Sequence, residues 1–185
     1  MRKKILILLN LVLAAVSLSS CEKDLMGYEG KDCLYFDVRR DAAWIDKKLW
    51  AHWNYSEVTF GNILSNDTTL SFKISAMGSA KSFDRPFKVI ATPDSTDLEE
   101  NTEYEPLKSE YVIKAGETST NVDVTFHRTP RMTNDTLRLQ LQILPNEYFD
   151  LKFDSYQDYP GPYEASQPKV EFNKNPNTQF HNIYV

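Results

Sequence analysis

Strict alternation of apolar and polar residues is the feature that most constrains the fold of this chain. It is clearest in residues 136–144, where Leu137, Leu139, Leu141 and Ile143 alternate with polar side chains. Successive side chains of a β-strand point to opposite faces, so this pattern predicts a strand with one buried face. Further predicted strands are 121–127, 70–76 and 85–93, with shorter ones at 34–38, 57–60, 111–113, 148–153 and 170–172.

Turn-forming residues separate these runs. They are Asn66-Asp67, Met77-Gly78-Ser79, Pro93-Asp94-Ser95, Ala115-Gly116, Thr133-Asn134-Asp135 and Pro145-Asn146. Short strands with this punctuation predict an all-β fold, an antiparallel sandwich of the immunoglobulin-like type. For residues 41–53, where apolar residues are roughly helically spaced, a short helix and a loop both remain open.

The first 20 residues have the layout of a secretory signal peptide. Three basic residues, Arg2, Lys3 and Lys4, precede an almost wholly apolar run at 5–16. That run is too short for a transmembrane helix, which needs about 20 apolar residues. We therefore expect export and cleavage rather than a membrane-spanning anchor.

The residues at the end of this segment predict a lipid anchor. Leu18-Ser19-Ser20-Cys21 resembles the lipobox of bacterial lipoproteins, which implies cleavage before Cys21 and attachment of palmitate-type acyl chains to it. Two or three chains anchor a protein stably. The following Glu22-Lys23-Asp24 resembles the surface-export signal of Bacteroidetes lipoproteins, which implies the outer leaflet of the outer membrane, exposed at the cell surface.

Charge and cysteine content limit the possible functions. Residues 1–20 carry three positive and no negative charges, so their removal lowers the formal charge from −5 to −8. Because phosphate contacts need clustered Lys and Arg, and no such cluster occurs, a nucleic-acid partner is not expected. If Cys21 is acylated, Cys33 has no disulfide partner, and its apolar surroundings predict a buried thiol.

Four segments follow from these observations. They are a signal peptide at 1–20, a polar tether at 21–31, a β-sandwich domain at 32–154 and an irregular segment at 155–185. The last segment contains four of the nine prolines, and we expect no strand in it beyond 170–172 and no closing element.

Several stretches together resemble a family of Bacteroidetes lipoproteins known as domain of unknown function 4843. They are residues 83–89 with Asp84-Arg85-Pro86, residues 104–107, residues 111–117 with Tyr111 and Ala115-Gly116, and residues 136–141. The resemblance covers roughly 34–153 and implies an immunoglobulin-like or Calx-beta-like sandwich. It also implies the company of an outer-membrane porin and surface lipoprotein complex for glycan uptake. Members usually continue beyond the position of Val185, so the resemblance also implies a natural short form or a truncation.

All three tryptophans lie within ten residues. Trp44, Trp50 and Trp53, with Tyr55, are interleaved with charged residues. Sugar rings stack on flat aromatic faces while polar neighbours bind their hydroxyl groups, so the cluster is a candidate ligand platform. The other interpretation is that these rings pack over one end of the sandwich.

Other polar groups offer weaker candidates. An acidic loop contains Asp94, Asp97, Glu99, Glu100 and Glu103, but it lacks the spacing of a calcium-binding loop, and a solvated loop is the simpler interpretation. The histidines His52, His127 and His181 match no metal-binding spacing. No nucleophile or phosphate-loop motif occurs, so we expect neither enzymatic activity, nor a cofactor, nor a metal.

These observations favour an outer-membrane lipoprotein that acts as a non-catalytic accessory binding protein. Its expected ligand is a glycan or a partner in a surface uptake system. The alternative is a structural or adhesion-type sandwich that binds a protein partner.

Overall fold

Nine β-strands form in the part of the chain that the structure, a computed structural model, describes. These residues are 30–39, 52–153 and 178–185. Lys31–Val185 forms one compact unit. The signal peptide, Cys21, nearly all of the tether and of segment 41–53, Trp44, Trp50 and the predicted strand 170–172 lie outside the described residues.

The strands form two sheets. The four-stranded sheet has the order β6-β3-β1-β8, and the five-stranded sheet has the order β2-β9-β7-β4-β5. The strands are β1 (Asp32–Phe36), β2 (Tyr55–Glu57), β3 (Asp67–Met77), β4 (Arg85–Ala91), β5 (Tyr111–Ile113), β6 (Ser119–His127), β7 (Arg138–Leu144), β8 (Phe149–Asp150) and β9 (Phe180–Tyr184). The helical segments in the described residues are short 3-10 turns, and none is long and apolar enough to cross a membrane.

The alternating pattern places one face of each long strand in a shared core. In β7, Leu139, Leu141 and Ile143 are fully buried while the residues between them are half-buried. Val122, Val124 and Phe126 of β6 enter the core from the other sheet. The predicted all-β sandwich is therefore confirmed, and so is the burial of Cys33.

Two strand pairs depart from the predicted antiparallel arrangement. β1 pairs with β8 in parallel, and β2 pairs with β9 in parallel. Both sheets are therefore mixed, because β2 and β8 each lie beside a strand that is distant in sequence and runs the same way.

The expectation that 155–185 contains no strand beyond 170–172 and no closing element is wrong at its end. β9 lies inside the five-stranded sheet, antiparallel to β7 over Arg138–Gln142 and parallel to β2. Its inward positions are His181 and Ile183, both fully buried. A polar residue at an inward position breaks the apolar alternation, which is why the strand is hard to recognise from its sequence.

A buried ion pair joins the two sheets of the sandwich. Arg85 of β4 donates from Nη1 to Oδ2 of Asp32 in β1 at 2.5 Å and from Nη2 to the carbonyl oxygen of Glu117 at 2.9 Å. Gly78 lies against the Asp32 carboxylate with φ of 145°, where a Cβ atom would collide with that carboxylate. The pair thus links the two sheets at a position where only glycine fits on one side.

Candidate functional site

A groove opens where β1 separates from β3. β1 pairs with β3 only over Ile74–Met77, and the last contact is from the Asp37 amide to the Lys73 carbonyl oxygen at 2.8 Å. Beyond this point β3 continues without β1 beside it, and β2 of the other sheet forms the opposite wall. The groove, which we call the aromatic groove, has a volume of about 460 Å³. Its lining residues are Val38, Arg39, Trp53, Tyr55, Ser56, Glu57, Leu70, Ser71 and Phe72.

Two members of the predicted tryptophan cluster lie in this groove. The ring centroids of Trp53 and Tyr55 are 5.0 Å apart with an interplanar angle of 48°, and both side chains are half-buried. Tyr184 of β9 supports Tyr55 edge-on at 6.0 Å. The amide of Trp53 donates to the carbonyl oxygen of Val38 at 2.9 Å, which ties the aromatic pair to the end of β1.

A charged cluster borders the groove. Asp37 accepts hydrogen bonds from Arg39 Nε at 2.9 Å, Lys73 Nζ at 2.8 Å and Ser75 Oγ at 3.0 Å. The Nε2 atom of His52 lies 3.4 Å from the same carboxylate. Burial alone would raise the pKa of Asp37, but the hydrogen bonds from His52, Lys73 and Arg39 outweigh it and hold this pKa well below its usual value. The carboxylate is therefore ionised and fixes Arg39 at the groove wall.

A serine and a histidine meet beneath the groove. Ser56 Oγ lies 2.9 Å from Nε2 of His181, whose ring contacts those of Phe36 and Phe72 at centroid distances of 5.5 and 5.0 Å. Burial lowers the pKa of His181 to about 3, and a contact with the backbone of Trp53 offsets this effect only in part. A general base needs a pKa near the operating pH, so this imidazole is poorly suited to remove a proton from Ser56.

Hydrogen bonds within the protein hold the predicted acidic loop in place. Glu103 is buried and accepts hydrogen bonds from the Glu99 amide at 3.0 Å, Thr129 Oγ1 at 2.9 Å and Arg131 Nη1 at 3.2 Å. Asp97 accepts from the amide of Arg138 at 3.2 Å. Within the described residues, no group of three or more His, Cys, Asp or Glu side chains could hold a metal ion.

The three histidines have different partners. His52 lies beside Asp37, His181 beside Ser56, and His127 Nδ1 lies 2.8 Å from Oδ1 of Asp67. They therefore act in separate local contacts.

Comparison with known families gives a match for the central part of the chain. The family described as Domain of unknown function (DUF4843) matches residues 57–159, which is more than half of the chain. The chain belongs to this family. The DUF4843 match confirms the predicted family, although it begins at residue 57 rather than at 34. No curated protein matches the chain.

Only part of the aromatic groove lies within the residues that match the DUF4843 family. Glu57, Leu70, Ser71 and Phe72 lie inside the matched residues, whereas Trp53 and Tyr55 precede them. Strand β9, which supplies His181 and Tyr184, follows them. The groove of this chain is therefore completed by segments on either side of the matched DUF4843 region.

Sequence reasoning found the aromatic pair but missed its polar neighbours. Arg39, Ser56 and Ser71 are common residue types in unremarkable positions, and they meet only because β2 pairs with β9 and lies across from β3. Counting His181 as an inward residue restores the alternation of β9. The strand would then be recognisable, and with it a buried polar group that needs a partner such as Ser56.

Proposed function

We propose that this protein is an exported lipoprotein, acylated at Cys21, that binds a glycan at the outer-membrane surface without catalysing a reaction. The observation that carries the proposal is the half-exposed Trp53–Tyr55 pair in an open groove of about 460 Å³. Aromatic faces supply the stacking surface for a sugar ring.

Polar groups in the same groove support a carbohydrate ligand. Arg39 supplies donors, Glu57 supplies acceptors, and the hydroxyl groups of Ser56 and Ser71 can do both. A sugar presents an apolar ring face and hydroxyl groups around its edge, so it needs both kinds of surface within a few ångströms. A groove open to solvent also admits one or two units of a longer chain.

The Ser56–His181 pair supports binding rather than hydrolysis. A histidine with a pKa of about 3 stays neutral at physiological pH and takes up a proton only with difficulty. We therefore assign the pair a structural role, in which the imidazole fixes the hydroxyl group of Ser56 at the groove floor.

Affinity electrophoresis and calorimetry across a broad glycan panel test this proposal. We expect at least one glycan to bind and the Trp53→Ala and Tyr55→Ala variants to bind it roughly tenfold more weakly or worse. Phe83→Ala is the matched control, because Phe83 is 51% exposed but does not line the groove. Absence of binding across the panel, or equal losses in all three variants, would refute the glycan assignment.

Treatment of intact cells with proteinase K tests the proposed location. Digestion of the chain on intact cells, and its loss from membranes in a Cys21→Ala variant, are the results expected for a surface lipoprotein. Protection until the outer membrane is opened would place the chain inside and move the search to periplasmic ligands.

The alternative function is a sandwich module that binds a protein partner. A second groove of about 640 Å³, lined by β4 and by residues between 93 and 109, offers a surface for such a partner. A stable partner that co-purifies equally with wild-type protein and with Trp53→Ala would favour this function over glycan binding.

A further inference from the structure

The aromatic groove continues past Glu57 into a second space. Glu57 lines the groove together with Trp53 and Tyr55, and it also lines a hollow of about 310 Å³ formed in part by residues 58–61. That volume lies near the lower end of the roughly 300–1,000 Å³ found for ligand pockets. We call the hollow the Thr136 pocket, and its lining includes Thr59, Phe60, Met132, Asp135 and Thr136.

Tyr184 of β9 connects the groove to this pocket. It pairs in register with Glu57 and lines the Thr136 pocket, and its ring lies edge-on to that of Tyr55 with 6.0 Å between the centroids. Tyr55 and Glu57 are two residues apart on one strand, so their side chains lie on the same face, roughly 7 Å apart. An extended ligand can therefore contact the aromatic pair and the Thr136 pocket at the same time.

Contacts within the protein fix the walls of the Thr136 pocket. Arg128 donates from Nη2 to the carbonyl oxygens of Phe60 and Ile63, and its Cζ atom lies 5.2 Å from the centroid of the Phe60 ring. On the other side, the amides of Leu137 and Val185 each donate to the carbonyl oxygen of the other residue at 2.9 Å. The pocket is therefore formed before a ligand arrives, which lowers the ordering cost of binding.

The exposed lining of the Thr136 pocket suits a ligand rich in hydroxyl groups. The hydroxyl groups of Thr59 and Thr136 both donate and accept hydrogen bonds, and the carboxylates of Glu57 and Asp135 accept them. Met132 is half-buried and adds apolar surface beside these groups. The pocket thus offers the same combination of surfaces as the aromatic groove.

The charges around the two spaces disfavour an anionic ligand. The Thr136 pocket is lined by the carboxylates of Glu57 and Asp135, and no Lys, Arg or His side chain among the described residues lines it. In the aromatic groove, the lining cation is Arg39, which already forms an ion pair with Asp37 at 2.9 Å. A sulfate or uronate group would therefore meet carboxylates at one end and a cation with a partner at the other.

We infer that the ligand of the aromatic groove is a neutral oligosaccharide whose chain crosses Glu57 and enters the Thr136 pocket. Glu57 accepts hydrogen bonds from hydroxyl groups where the chain crosses, and with Asp135 it selects against sulfated and uronic-acid glycans. This inference rests on the proposed function, and it adds the class of the glycan and a second space for its chain.

A chain-length series tests the second space. Residues 22–185, which retain the whole compact unit, are titrated by calorimetry with neutral hexasaccharides and with the disaccharide of each series. The probes are cello-, malto-, manno-, laminari- and xylohexaose. We expect at least one hexasaccharide to bind about tenfold more tightly than its own disaccharide, because only the longer chain reaches the Thr136 pocket.

A blocking variant locates the extra affinity. Gly61 is exposed in the pocket lining, and a Cβ atom there would lie 3.8 Å from Thr59 Cγ2, an ordinary contact, so Gly61→Trp narrows the pocket without backbone strain. It should reduce the affinity for the hexasaccharide to that for the disaccharide and leave the latter unchanged. Asn62→Trp is the matched control, because Asn62 is exposed in the same 3-10 turn and does not line the pocket.

Charged glycans test the neutral class. Hexagalacturonate and a sulfated form of the bound hexasaccharide should bind about tenfold more weakly than the neutral chain. Glu57→Gln with Asp135→Asn should reduce this difference about threefold or more and keep neutral binding, since amide oxygens still accept hydrogen bonds. The matched control is Glu105→Gln with Glu110→Gln, which changes the net charge equally at exposed residues outside both spaces. This comparison keeps the side-chain shapes and decides the question if Gly61→Trp does not fold.

The outcomes separate this inference from the proposed function. Absence of binding to every neutral and charged glycan would refute both. A glycan that Trp53→Ala weakens, but that binds equally as disaccharide and hexasaccharide or equally to the Gly61→Trp and Asn62→Trp variants, would refute the Thr136 pocket alone. Equal binding of the neutral and charged hexasaccharides would refute the neutral class.

Discussion

At the scale of single residues, Arg85 and Asp32 hold opposite charges where almost no water reaches them. Their side chains are 2% and 4% exposed. We expect Arg85→Leu to lower the free energy of unfolding by about 3–5 kcal/mol, because Asp32 is then left buried with only Lys81, whose Nζ atom is 3.6 Å away. Urea unfolding followed by circular dichroism measures this change.

A second variant separates charge from packing at this site. Combining Arg85→Leu with Asp32→Asn removes the uncompensated charge, so the double variant should recover part of the lost stability. Equal stabilities of the single and double variants would mean that lost packing against Phe149, 5.2 Å from the guanidinium group, causes the effect instead.

His181 should make stability depend on pH. Its pKa is about 3 in the fold and about 6.5 in the unfolded chain, so between these values the unfolded chain binds one more proton. Stability should therefore fall as the pH is lowered through this window, by about 1.4 kcal/mol per pH unit. His181→Gln, which retains a partner for Ser56, should remove one proton from this slope in urea titrations between pH 4 and 6.5.

Asp37 provides an internal check on that measurement. Its pKa lies below the usual value of 3.8, so the stability that it contributes is present above that pH and is lost only in stronger acid. Asp37→Asn should leave the slope between pH 4 and 6.5 nearly unchanged. A large change of slope in this variant would contradict the assignment to His181.

At the scale of elements, β9 holds the five-stranded sheet together from within. Ile183 is fully buried and pairs with Leu139 on one side and Ser56 on the other. Ile183→Ala should lower the free energy of unfolding by about 2–5 kcal/mol. Leu64→Ala is the control, because Leu64 is fully exposed and its loss should change stability by about 0.5 kcal/mol or less. Similar costs in both variants would show that β9 is peripheral to stability.

The strands that sequence alone predicts best are those with an uninterrupted apolar face. β5 has the predicted bounds, and β6 and β7 differ from prediction by about two residues at their first ends. The predicted strand 57–60 is displaced: β2 ends at Glu57, and Phe60–Asn62 forms a 3-10 turn. The predicted strand 148–153 shortens to Phe149–Asp150, because pairing with β1, and not local pattern, sets its length.

The candidate sites differ in how much of them sequence could reveal. Trp53 and Tyr55 are recognisable because large aromatic residues are rare and lie two positions apart, on the same face of an extended segment. The place of Ser56 and Ser71 beside this pair could not be foreseen, since it depends on the pairing of β2 with β9. Sheet order and strand ends are long-range properties, and local alternation does not encode them.

At the scale of the whole molecule, the aromatic groove lies at one edge of the five-stranded sheet. β2 forms this edge, and β4 with β5 forms the other, with β9 and β7 between them.

The interior position of β9 has a consequence for the order in which the chain can fold. A polypeptide emerges from a ribosome or a translocation channel with its earlier residues first, and β2 gains its sheet partner only after Asn182, Ile183 and Tyr184 have appeared. β2 must therefore wait for more than a hundred later residues before it can join this sheet. An unpaired strand is prone to wrong contacts, so this interval is the time when chaperones matter most.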